Sequence, residues 1–234
     1  MEDFWHKEMK PTDGYTLALP TPELDAYFNL KLDPSNVNHP DLPLNLLDRG
    51  ASAKLTQALI KSPEIWFLGG IVLDDGNLSN YHVYLTRPPF TGTILFWQHD
   101  DQHYVAFSSL SEFLAAVERS KEQHVWLKSL HTWPMLVDSL GLARFIEEMA
   151  AGDSESNYQL ADIAMTCAAH LDIDLLSRLV SHPWYFFKEG VAAYIARQPA
   201  HALRPLAVAC AGDSLPQIRW QADAALQAID NLDT

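Results

Sequence analysis

At 234 residues, with 48% hydrophobic and 20% charged side chains, the chain can bury a sizeable core and lacks the composition of a disordered protein. Its formal charge of -14 is shared between residues 1–125 (9 basic, 17 acidic, net -8) and 126–234 (7 basic, 13 acidic, net -6); such a field repels nucleic acid and anionic lipid and either favours basic proteins or serves solubility alone. The start, MEDFWHKEM, holds no apolar run of the kind a secretory signal needs, and the longest apolar stretch, IWFLGGIVL, is about half a bilayer span, so a cytoplasmic location without membrane contact is expected.

Residues 1–50 are rich in proline, asparagine and aspartate, but LPTPELDAYFNL carries a helix start. Thr21 can cap, Pro22 suits the first turn, Glu23 favours the positive helix end, and Leu24, Tyr27 and Phe28 follow at helical spacing. SAKLTQALI predicts a second short helix, with Leu55, Leu59 and Ile60 as its apolar side. The period then changes to two. In YHVYL, Tyr81, Val83 and Leu85 fall on one face and His82 and Tyr84 on the other; ILFW and HYVAF follow as further strands. Residues 65–107 therefore read as an antiparallel sheet whose turns come from Asp74-Asp75-Gly76-Asn77 and Asp100-Asp101. SSLSEFLAAVE returns to helical spacing: Ser109 and Glu112 stand as a capping box, and Leu110, Phe113, Leu114 and Val117 form one stripe.

Beyond residue 125 no strand pattern recurs. A helix is expected from Trp133-Pro134 toward Met149, then helical blocks at 156–169, 172–182, 184–197, 200–211 and 216–231. Pro183 and Pro216 lie 33 residues apart, a period typical of stacked helix pairs, and alanine or glycine occupies the close-packing positions after each. PQIRWQADAALQAI resembles the second helix of a HEAT repeat, although an ordinary helical bundle fits the same spacing.

Two stretches together resemble the SUKH (SMI1/KNR4-like) superfamily. ILFW, a polar turn and YVAFSSLSEFLAAV match the family's final hairpin leading into a closing helix, and LPTPELDAYF is similar to its first helix. The resemblance covers roughly 17–118 and is strongest over 94–117, while the proline-rich stretch 33–48 and the early Gly69-Gly70 pair depart from the usual spacing. It implies binding and not catalysis: many bacterial members resemble immunity proteins that neutralise secreted toxins, often nucleases, and fungal members regulate cell-wall synthesis. The family shares no catalytic set, so no active-site residue carries over.

HDDQH, residues 99–103, puts two imidazoles and two carboxylates in five positions. A three-residue hairpin loop sets His99 opposite His103, where a metal-dependent hydrolase could hold zinc; a two-residue loop pulls them apart, and no third ligand is evident. The other readings of His99, Asp100, Asp101 and His103 are a solvated hairpin tip or a partner-binding edge, with Asp74 and Asp75 joining them in one acidic rim. Elsewhere the chain has no GxSxG elbow and no phosphate loop. Cys167, in IAMTCAAH with His170 three residues on, sits in an apolar setting that makes a thiol inert. Trp184, Tyr185, Phe186 and Phe187 span all sides of a helix turn, either as packing between helices or as an exposed binding patch.

The expectation is thus an α+β SUKH-like domain over 1–125 followed by an α-helical HEAT-like domain over 126–234. It is read as a non-enzymatic, cofactor-free, protein-binding module, in its most concrete form an immunity protein that uses Asp74, Asp75, His99, Asp100, Asp101 and His103 against a basic toxin. The rivals are a His99-His103 metal hydrolase and a regulatory scaffold unrelated to toxins.

Overall fold

A computed structural model describes residues 21–30, 44–76, 79–152 and 154–233. Leu19-Pro20 of the first helix motif, the part of the proline-rich stretch before Leu44, and Asn77 of the acidic turn lie outside the described residues. The chain is α+β, with an antiparallel sheet in its first half and a helical region in its C-terminal half. It forms two compact units, residues 1–101 with 106–132, and residues 102–105 with 133–234. Among the described residues no helix is long and apolar enough to cross a membrane.

In the sheet unit, α1 (Pro22–Asn29) starts as its sequence predicts: the Thr21 hydroxyl accepts from Leu24 N–H, and Leu24 and Tyr27 are buried. Four strands, β1 (Gly70–Val72), β2 (Asn80–Leu85), β3 (Ile94–Gln98) and β4 (Tyr104–Phe107), lie in chain order. β2 pairs antiparallel with both of its neighbours. From His82 onward both faces of β2 are buried, so the alternation read in YHVYL separates two covered faces. α4 (Leu110–Gln123) closes this unit, capped by Ser109, with Leu110, Phe113 and Val117 inside.

Two sequence expectations change here. Residues 65–68 belong to α3 (Pro63–Leu68), not to the sheet, because Pro63 opens a helical turn and Gly69 ends it in the left-handed region at φ 66°. In α2 (Arg49–Ala58) the buried face is Ser52 and Thr56, with Leu55 and Leu59 only half-buried. The cause is the edge of β1. Ser52 Oγ donates to Val72 O at 2.5 Å, and Val72 N–H donates to Thr56 Oγ1 at 3.0 Å, so two hydroxyls one helical turn apart do the work of a neighbouring strand. Leu47 N–H to Leu73 O (2.9 Å) and Asp75 N–H to Asn45 O (2.8 Å) extend that cover past the strand end.

The helical unit comprises α5 (Ser139–Ala150), α6 (Glu155–Cys167), α7 (Ile173–Val180), α8 (Tyr185–Arg197), α9 (Arg204–Ala211) and α10 (Pro216–Asp230). α8 packs against α6, α7, α9 and α10. Small side chains permit this: Ala192, Cys210, Ile218 and Ala222 form one buried cluster, and a Cβ on Gly190 would stand 2.5 Å from Met165 Cε. The helix expected from Trp133 begins only at Ser139, where Asp138 caps Gly141 N–H at 2.9 Å. Trp133 has φ 51°, and Leu136 is held extended by a parallel bridge to Ala168, so residues 133–137 cannot join the helix. Of the WYFF patch, Phe187 is buried, Phe186 stacks on Tyr158 at 4.6 Å, Trp184 is half-buried and Tyr185 is exposed.

Candidate functional site

Because β1 and β3 each pair antiparallel with β2, the residues after Val72 and those after Gln98 leave the same end of the sheet. Asn80 pairs with Gln98 there, and His99 N–H reaches Asn80 Oδ1 at 3.4 Å. The hairpin connection between Gln98 and Tyr104 has five residues, not two or three. His99, Asp100 and Asp101 are exposed, and His99 Nδ1 lies 2.6 Å from Asp100 Oδ1. Asp75 is half-buried on the neighbouring connection. His103 is half-buried and, with Gln102, counts with the helical unit. Among the described residues no group of three or more histidine, cysteine, aspartate or glutamate side chains converges as a metal site would require.

Asp74 departs from the rim altogether. It is 3% exposed, and its main chain pairs with Leu46. Its carboxylate accepts twice from His82, from the main-chain N–H at 2.6 Å and from Nδ1–H at 2.7 Å. His82 Nε2 in turn lies 3.0 Å from Nε2 of His131. A gap of that size holds one proton between the two rings and excludes the state in which both nitrogens carry one. Phe96, Phe107 and Phe113 enclose His82, with ring centroids at 4.9, 6.1 and 5.2 Å. Burial, with His82 and Lys128 nearby, pushes His131 down from 6.5 to about 2. The Lys128 ammonium donates to Gln98 Oε1 at 3.0 Å and stands over Phe96 at 5.5 Å. Beside His131, Thr132 donates from both N–H and Oγ1 to Ala106 O of β4, at 3.0 and 3.1 Å.

This Asp74–His82–His131 chain is the site that sequence reading missed. His82 offered one signal, a polar residue at an alternating position between apolar neighbours; His131, in LHTWP, offered none.

In the helical unit the Gln102 amide donates to Asp162, whose carboxyl is fully enclosed. Burial raises it from 3.8 to about 6, against the pull of the Gln102 bond and the Arg197 charge. Cys167, as its setting predicts, is buried and its thiol is pushed up to about 12, chiefly by desolvation. Comparison with family models, with curated proteins and with solved structures gives no match to this chain.

Proposed function

We propose that the chain is a protein-binding module of the immunity type, acting in the cytoplasm by masking a basic toxin domain. One observation carries the reading: at one end of a sheet whose core is tightly wired, Asp100 and Asp101 project into solvent, Asp100 with 91% of its side chain exposed, and Asp75 lies on the adjoining connection. Carboxylates held on such a rigid base offer a nuclease the charge pattern of the phosphates it expects, and the chain's -14 charge draws a basic partner in. Asp74 acts within the fold, by fixing His82 and with it the start of β2. The SUKH-like hairpin and closing helix support the same reading.

The test is binding of a toxin domain encoded beside this chain, measured by calorimetry at low and high salt. Asp100→Asn with Asp101→Asn is expected to weaken binding about tenfold or more and to flatten the salt dependence. Affinity indifferent both to salt and to the double substitution would end the phosphate-mimicry reading.

A further inference from the structure

The helical unit contains a short bridged piece of chain at Leu136, set between Trp133 at φ 51° and a bend at Val137. Leu136 N–H donates to Cys167 O at 2.7 Å, and Leu136 O accepts from Ala169 N–H at 3.3 Å, so both of its main-chain groups face one side. A trans peptide sets its C=O and N–H on opposite sides, so the C=O of Met135 and the N–H of Val137 face away from that pairing. Val137 O accepts from Ser139 N–H at 2.8 Å. Among the described residues nothing takes the N–H and C=O of Met135 or the N–H of Val137.

The side chains tell the same story. Leu136 is half-buried, whereas Trp133, Met135 and Val137 are exposed, Val137 to 92%. A β-branched residue standing almost wholly in water beside open main-chain donors is what natural edges avoid. Trp133 is also held in place: its ring stacks on Tyr104 at 3.6 Å and 13°, which leaves a fixed aromatic surface 54% exposed. Fixed aromatics of this kind anchor protein interfaces at little entropic cost.

We propose that residues 135–137 are a docking edge that takes up an extended segment of a basic partner protein by strand addition, with Trp133 as the side-chain anchor. Open main-chain groups specify an extended polypeptide, and alternating apolar side chains specify apolar residues on its facing side. Charge selects the partner. Residues 133–234 hold 6 basic and 13 acidic side chains, and the exposed Asp138 closes the edge, so a second copy would bring like charge while a basic segment brings the opposite. The inference rests on the protein-binding reading above and adds to it a second surface and a mode of capture.

The probe is a capped heptapeptide of alternating lysine and valine, titrated into the full chain by calorimetry, with light scattering to report oligomeric state. Binding by a monomeric chain is expected, weakened about tenfold or more by Val137→Pro, which deletes a donor, and by Val137→Lys, which leaves the backbone intact and repels the peptide. Trp133→Ala is expected to act likewise, and Asp100→Asn to leave binding unchanged. No peptide binding, or binding indifferent to both Val137 substitutions, overturns the edge. So does a dimer that Val137→Lys dissolves, since the occupant is then a second copy. Peptide binding lost in Asp100→Asn but not in Val137→Lys overturns the edge and leaves the protein-binding reading standing; failure of the toxin-domain titration with peptide binding intact leaves the edge standing and overturns the toxin-masking reading.

Discussion

Asp74 in the sheet unit and Asp162 in the helical unit are both buried carboxylates, yet their surroundings give them opposite characters. Asp74 receives two hydrogen bonds from one residue, His82, whose ring passes the connection on to His131. Asp162 takes a single amide from Gln102 and feels the Arg197 guanidinium only as a nearby charge, so burial dominates and its carboxyl is raised to about 6. Two hydrogen bonds from His82 tie Asp74 into a side-chain chain, whereas at Asp162 one amide leaves burial to dominate and the carboxyl holds its proton more tightly.

The largest expected effect breaks this contrast outright. Asp74→Ala removes both acceptors of His82 within an aromatic enclosure and is expected to lower stability by about 3 kcal/mol in urea unfolding, because a buried donor left without its acceptor costs more than the bond was worth. Asp162→Asn, which keeps a partner for Gln102, is expected to leave the chain as stable or more stable above pH 6.

Acid sharpens the same contrast, with opposite signs. His131 is held neutral in the fold, below its ordinary 6.5, so its contribution is complete above pH 6.5 and is lost as pH falls below that value, at about 1.4 kcal/mol per pH unit. Asp162 is raised above its ordinary 3.8, so its contribution is complete below about pH 3.8 and is lost as pH rises through 6. Between pH 6.5 and 4 the sheet unit should weaken while the helical unit firms. Hydrogen exchange followed separately over β2 and α6, corrected for the intrinsic rate, reads both. His131→Gln should flatten the first slope and Asp162→Asn the second.

Packing gives a smaller difference. A Cβ on Gly70 would lie 2.7 Å from Val83 Cγ1 and 3.1 Å from the Ile65 main chain, whereas one on Gly190 meets chiefly the mobile end of Met165. Gly70→Ala is expected to cost about 2 kcal/mol and Gly190→Ala about 1, as thermal unfolding would report. Smallest of all, Asp100→Asn should move stability by less than about 0.5 kcal/mol in either direction, since its pair with His99 is solvated.

Much of the architecture could be read from residue order because it is local. The period-two run at Tyr81, the apolar run at Ile94, the Ser109 cap and the proline-punctuated helices each declare themselves within about ten residues. Residues 65–68 have the apolar, aromatic character of a strand, yet Ser62-Pro63 before them and Gly69 after them are helix signals. What local pattern could not carry was pairing at a distance. Asp74-Asp75-Gly76 has the composition of an exposed turn, and only the docking of residues 45–47 against 73–75 turns Asp74 inward toward His82. His131 lies 49 positions from its partner in a segment without periodicity. Likewise Ser52 and Thr56 look like the polar face of α2 until Val72 is seen to need them.

Those two hydroxyls govern how the molecule behaves when crowded. With Val72 satisfied on its outer side, the sheet presents no template at β1 on which another chain could grow, and fibril-like stacking from that margin would first have to peel α2 away. Thr56→Val keeps the shape and uncovers the amide, turning a sealed margin into an adhesive one.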